Sequence, residues 1–255
     1  MLQRLIEFCW RLLPFAVVIL LWYGVRWSGI VDQGLLPPPH LVFLDIWKRS
    51  TEGTFLLDAW LSIRRVLLGL FFGMLLAVPI GFLIGWNRAI RRFVDPLVNF
   101  FRALPPIALI PLAIVYLGIG EVAKVAILFY AAFFAGVIVM YEGMSQINPL
   151  YIKVARTLGA TDWEVFYKVI LPLTVPHVLT ATRVALGVAW ATLVASELVA
   201  AQNGLGAVIQ NASAFFQLTT IYAGIVTIGF LALVMDTILR SASRRFLDWQ
   251  ERVVQ

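Results

Sequence analysis

Charge is scarce in this chain: 13% of its 255 residues are Asp, Glu, Lys or Arg, against about 25% in soluble domains. That deficit excludes water as the main solvent of its surface. A single cysteine, Cys9, excludes an intrachain disulfide framework and any cysteine-built zinc or iron–sulfur centre. The two histidines, His40 and His177, each follow a proline and belong to no His-Glu-x-x-His or Cys/His set. No Gly-x-Ser-x-Gly nucleophile elbow occurs. No glycine is followed by lysine, so the chain has no phosphate-binding loop of the Walker type. Hydrolytic chemistry and ATP binding through that loop are therefore not expected of this chain, and no cofactor or metal is expected on it.

What is abundant is apolar surface. Sixty-one per cent of the residues are hydrophobic and the mean hydropathy is +0.90. A bilayer core takes about 20 predominantly apolar residues per helix. Six segments qualify, at residues 12–31, 66–86, 103–120, 122–141, 177–201 and 218–239. An all-α, polytopic membrane protein of six spans is the expectation. The net charge of +6 does not point to nucleic acid, because the excess basic residues lie beside apolar segments.

Orientation follows from counting Lys and Arg in the loops. With the N-terminus inside, the inner segments hold Arg4, Arg11, Arg88, Arg91, Arg92, Arg102, Lys153, Arg156, Lys168, Arg240, Arg244, Arg245 and Arg252. The outer segments hold only Lys48, Arg49, Arg64 and Arg65. Both termini are therefore expected on the cytoplasmic side. The first apolar segment lacks a small-x-small cleavage site and is expected to be retained as a span.

Between the first two spans, Pro37-Pro38-Pro39 prevents a continuous helix, and a new one starts at Pro39. Leu41, Val42, Ile46 and Trp47 gather on one side of it. The helix either lies in the membrane interface or packs on the second span.

The loop at 142–176 is the longest on the inner side. Pro149 opens a helix over 150–158, which Gly159 closes. Thr161-Asp162-Trp163-Glu164 reads as a capping box, starting a second helix expected to stop at Leu171-Pro172. The resulting helix–Gly–helix hairpin carries Lys153, Arg156, Asp162 and Trp163 as partner-facing residues.

Within the membrane, Glu197 sits in the outer third of the fifth span, beside Ser196. A carboxylate at a helix centre costs about 2.5–3.5 kcal/mol on insertion scales, and such residues face the bundle interior. Glu197 either lines or gates a path, or pairs with Arg64 or Arg65. Arg183 is expected to snorkel to the headgroups, and Asp236 to do the same or pair with Arg240. Pro105, Pro106 and Pro111 make the third span irregular, which suits either a path lining or a plain kink.

Lys153-Val154-Ala155, three residues, Gly159, nine residues, then Val169-Ile170-Leu171-Pro172 resembles the cytoplasmic loop motif EAA-x3-G-x9-I-x-LP of ABC-importer permeases. Lys153 and Val154 depart from its first two positions, and Val169 stands in the Ile position. Leu36-Pro37-Pro38-Pro39, Phe101 to Pro106, Leu117 to Glu121, Ser196 to Ala201 and Gly204-Leu205-Gly206 are similar, in the same order, to the nitrate/sulfonate/taurine branch. From Gly204 to Trp249 the likeness is greatest to taurine permeases.

The resemblance implies the type I importer permease fold, with 1–65 as an N-terminal helix plus outer loop, and 66–255 as a five-helix core. It implies a homodimer in the bacterial inner membrane, two ATP-binding subunits carrying ATP and Mg, and an external substrate-binding protein. Lys153, Ala155, Arg156, Gly159, Ala160, Asp162, Trp163, Leu171 and Pro172 would couple to the ATPase, and Glu197, Ser196, Pro105 and Pro106 would line or gate the path. The solute is expected to be a small anion such as taurine or another sulfonate. A stand-alone secondary transporter or channel is the alternative, but it leaves the structured hairpin unexplained.

Overall fold

The computed structural model describes residues 2–32, 34–200 and 202–247. All regular structure among them is helical: α1 (Leu2–Trp27), α2 (Pro39–Glu52), α3 (Phe55–Trp86), α4 (Arg88–Ala103), α5 (Pro106–Leu117), α6 (Glu121–Ser145), α7 (Pro149–Thr157), α8 (Asp162–Val165), α9 (Leu171–Ala200), α10 (Leu205–Ala214) and α11 (Leu218–Leu247). Ala201, the last residue of the expected fifth span, and Arg252 lie outside the described residues.

Four helices are long and apolar enough to cross a membrane: α3, α6, α9 with the segment leading into it, and α11. In α1 the apolar stretch Leu13–Trp27 is shorter.

The core is built on α3 and α6, which run parallel along a ladder of small residues. Gly69, Gly73, Ala77, Gly81 and Gly85 recur every fourth residue on α3, and Leu128, Ala132, Gly136, Met140 and Met144 do so on α6. A Cβ added at Gly69 would stand 2.4 Å from that of Leu128, and one at Gly81 2.6 Å from that of Met140. In lipid no hydrophobic effect drives helices together, so small residues that admit close backbone contact hold the pair. On α9, Ala181, Ala185 and Ala189 join the same core beside Trp190 and Leu193. Gly143 packs directly on the His177 ring.

The expected third span, 103–120, is not one helix. Only α5 lies there, twelve residues long and too short to cross alone. Leu104 and Pro105 are held extended, the conformation a following proline favours, and α4 meets α5 at 91°. Taken together the two have the length and hydropathy of one broken span, and 88–102, counted among the inner segments, is helical rather than a loop.

The expected stop at Leu171-Pro172 is also absent. α8 runs through a π-helical turn, Phe166–Ile170, straight into α9. Pro172 has no N–H to give Lys168 and its ring crowds that carbonyl; the wider turn, closed by Leu171 N–H to the Phe166 carbonyl, accommodates both.

The helix expected from Pro39 is α2. It buries Val42, leaves Leu41 and Trp47 exposed, and packs Ile46 against Phe55, Ala59 and Leu205. Arg49 ties it to α11 through the Thr220 hydroxyl at 2.8 Å. It is thus held against protein on one face.

Candidate functional site

At one end of the bundle, two turns of α3 present Asp58, Ser62 and Arg65 on one face, all buried. Glu197, at the far end of α9, is fully buried among them. Its Oε1 accepts from Arg65 Nη1 at 2.6 Å and from the Ser62 hydroxyl at 2.8 Å. Its Oε2 accepts from the Gly206 N–H at 2.8 Å. Ser62 Oγ in turn accepts from Leu205 N–H at 3.0 Å, and Asp58 Oδ1 from Gly204 N–H at 2.7 Å. The first amides of α10 are therefore capped by side chains of two other helices. Such amides would otherwise be orphans, and negative charge is favoured at that helix end.

Arg65 carries the cluster further. Its Nε and Nη2 grip Glu121 at 2.7 and 2.6 Å, and Nη1 also reaches the Asn203 carbonyl at 2.8 Å. Lys124 Nζ lies 3.0 Å and Arg64 3.7 Å from Glu121. Three cations (Arg64, Arg65, Lys124) meet three carboxylates (Asp58, Glu121, Glu197), so the cluster is neutral. Gly204 is forced: its φ is +120°, and a Cβ there would fall 2.5 Å from Arg65 Nη1 and 2.6 Å from Glu197 Oε1.

Of the two readings of Glu197, the geometry contains the pairing, and with Arg65 rather than Arg64. Ser196, equally buried, donates to the Leu193 carbonyl of its own helix at 2.9 Å. Pro105 and Pro106 lie away from this cluster, at the α4–α5 break, with Pro105 exposed. Arg183 Nε binds Asp236 at 3.0 Å, and Asp236 also takes Arg240, as expected, at 2.9 Å. Asp58, Ser62 and Lys124 have no place in the sequence analysis, and Glu121 and Gly206 stand there only within family motifs. The signal was the spacing of 58, 62 and 65, one polar helical stripe that runs on into the glycine ladder.

At the opposite end, α7 and α8 form the expected hairpin. Gly159 turns it with φ +84°. Thr161 caps α8 through the Glu164 N–H, and Glu164 returns a bond from the Thr161 N–H at 3.1 Å. Ala155 and Ala160 face inward, onto Met144, Val165 and Ile170. Arg156 pairs with Asp162 across the turn at 2.9 Å, both exposed, and Lys153 and Trp163 are exposed beside them. Leu171 is exposed and Pro172 half-buried where the hairpin joins α9. Leu150, Tyr151, Val154 and Leu158 make an exposed apolar stripe along α7.

This all-helical membrane bundle has a known counterpart. It superimposes on a chain of the MetNI methionine ABC transporter, solved in inward-facing conformations, with a TM-score of 0.64 at 22% identity, over 73% of this chain and 93% of that one. The family model described as the binding-protein-dependent transport system inner membrane component matches residues 69–248. A probable ABC transporter permease protein of Brucella abortus (strain 2308) is 45% identical over 95% of this chain and 96% of its own length. The taurine transport system permease protein TauC of Escherichia coli (strain K12) is 34% identical over 93% and 88%. The chain belongs to this family of ABC permeases, in its taurine/sulfonate/nitrate branch. It is an inner-membrane transport subunit rather than an enzyme, and the ATPase of such a system is a separate chain.

Proposed function

We propose that two copies of this chain form the translocation path of an ATP-driven importer for a small anionic solute, taurine or another sulfonate. An external binding protein delivers the solute, and two ATP-binding subunits carrying ATP and Mg drive the cycle. In this reading the chain crosses the membrane six times, with α1 and the outer loop (1–65) added to a five-helix core and both termini in the cytoplasm. The α7–α8 hairpin is the coupling element. Its exposed stripe of Leu150, Tyr151, Val154 and Leu158, next to Trp163, is the observation that carries this reading. Apolar side chains of that size, set among Lys153, Arg156 and Asp162 on a structured loop, mark a protein-binding face. Ala155, Ala160 and Gly159 shape the hairpin from within, while Leu171 and Pro172 join it to α9. The identity with TauC supports a sulfonate as solute.

Glu197, with Ser196 behind it, acts as a scaffold for α10 at the outer mouth, not as a ligand, since an anionic solute and a buried carboxylate repel. Pro105 and Pro106 break the span that lines the path.

The test is purification from gently solubilised membranes. An ATPase chain is expected to co-purify stoichiometrically and to be lost in Leu158→Glu, a position 81% exposed, with the melting temperature of the permease unchanged. A chain that purifies alone in several mild detergents, with vesicle flux indifferent to ATP, overturns the proposal.

A further inference from the structure

The broken span carries charge far into the bundle. Near the start of α4, Arg91 bonds the Tyr141 hydroxyl and lies over its ring, 4.5 Å from the centroid. Ten residues on, the Phe101 carbonyl accepts from the Tyr130 hydroxyl, and the Phe101 ring stacks on Phe134 at 5.9 Å. Tyr141 lies in the last turns of α6, whereas Tyr130 and Phe134 lie at its middle. α4 therefore climbs antiparallel to α6 by roughly 15 Å, ten residues at 1.5 Å each. It delivers Arg102 to mid-height of a helix long enough to span a membrane.

The faces of α4 are sharply divided. Ile90, Val94 and Val98 pack into the core. Phe93, Leu97 and Phe100 form an exposed apolar face. Arg88, Arg92, Asp95, Asn99 and Arg102 follow at steps of four, three, four and three, which is a single stripe along a helix. All but Asp95 are exposed, and Arg88, Arg92 and Arg102 form no ion pair among the described residues. At the foot of the stripe a recess of about 320 Å³ opens between Arg88, Arg91, Arg92, Asp95 and Pro96.

An arginine turned to lipid at mid-depth is costly, and residues of this kind face a water-filled cavity. Non-helical backbone at that depth obeys the same rule. The 91° break begins at Leu104, two residues past Arg102. Both rules exclude lipid from around the head of the stripe and the break beside it.

We propose that the polar stripe of α4 lines the water-filled inner half of the translocation path, and that Arg102 at its head selects for a singly charged oxyanion. This rests on the transport reading above. A guanidinium offers two parallel N–H donors that match two oxygens of a sulfonate or carboxylate. Three arginines against Asp95 leave the stripe at +2, which draws anions along it without a deep trap at any one point.

Cysteine accessibility tests this without ATP or a known solute. In a Cys9→Ser background, Arg92→Cys, Asn99→Cys and Arg102→Cys should react with charged, membrane-impermeant methanethiosulfonates in open membranes. Phe93→Cys, Leu97→Cys and Phe100→Cys should not. At Asn99→Cys the anionic reagent should react faster than the cationic one, on the order of tenfold. That preference should fall several-fold with Arg102→Gln, where Arg88 and Arg92 against Asp95 leave the stripe at +1, and survive with Arg102→Lys. Labelling of Asn99→Cys no faster than of Phe100→Cys overturns the proposal, as does a charge preference undiminished in Arg102→Gln. Failure of the importer reading shows separately, as a missing ATPase partner.

Discussion

Replacing Glu197 by alanine should loosen α10 from the rest of the bundle, and the structure sets the size of the effect. Two donors lose their acceptor outright: the Gly206 N–H and the Ser62 hydroxyl. An orphaned buried donor costs about 1–3 kcal/mol. Arg65 loses one partner but keeps Glu121 through two bonds and the Asn203 carbonyl through a third. The general cost of removing one member of a buried pair is about 3–5 kcal/mol. With Arg65 still held, Glu197→Ala belongs near the lower end, about 3 kcal/mol. For a chain of this size that is a fall of roughly 6–12 °C in melting temperature. Glu197→Gln keeps the volume, but its amide NH2 must face either Arg65 Nη1 or the Gly206 N–H, donor against donor, so it should lose nearly as much. Ser196→Ala is the control, since that hydroxyl satisfies only a carbonyl of its own helix. Melting of the detergent-solubilised protein, with limited proteolysis between α9 and α10, reads the effect. A Glu197→Ala melting point within about 2 °C of the parent, less than 1 kcal/mol on that scale, refutes the latch.

Gly204→Ala should destabilise the same region, because it adds a Cβ 2.5 Å from Arg65 Nη1 at a φ of +120°; thermal melts should place it beside Glu197→Ala. Gly81→Val should separate α3 from α6, since its Cβ would meet Met140 at 2.6 Å and the Val137 carbonyl at 2.9 Å; overpacking costs about 1–3 kcal/mol or more, seen as loss of a monodisperse peak on size exclusion. Gly187→Ala, with open space at its Cβ, should by contrast be neutral or raise stability by up to about 1 kcal/mol through helix propensity. Asp236→Asn should shift melting little, by about 1 kcal/mol or less, because the Arg183–Asp236–Arg240 group is partly exposed.

Apolar length and loop chemistry were legible in the sequence where the physics is local. The hairpin needed only Pro149, Gly159 and the Thr161–Glu164 pair, each acting within a few residues of itself, and all three stand where expected. Two expectations that rest on local signals alone differ from the structure. The arginines of 88–102 mark an inner segment, yet that segment is helical, with Ile90, Val94 and Val98 packed into the core. Leu171-Pro172 reads as a stop because proline lacks a donor, but one wider turn absorbs that defect. The cluster around Glu197 was only half visible. Its partners on α3, Ser62 and Arg65, lie 135 and 132 positions away, and no local rule carries across that distance.

The two ends of the molecule are joined by one helix. α9 leaves the hairpin through the π-helical turn at Phe166–Ile170 and ends beyond Glu197. Thirty residues at 1.5 Å give a rod of roughly 45 Å. Its weak points lie at the hairpin end: Pro172 and Pro176 each remove a backbone bond, and the π turn already departs from α geometry. Beyond Pro176 the helix has no further proline, and it is clamped to α6 by the contact of Gly143 on His177. A small tilt of the hairpin is therefore absorbed at the turn. A larger one must move the shaft, and the shaft's far end is tied by Glu197 to Arg65, Ser62 and the first amides of α10. The cap on α10 and the turn at the hairpin thus mark the two places where motion along α9 either stops or is passed on.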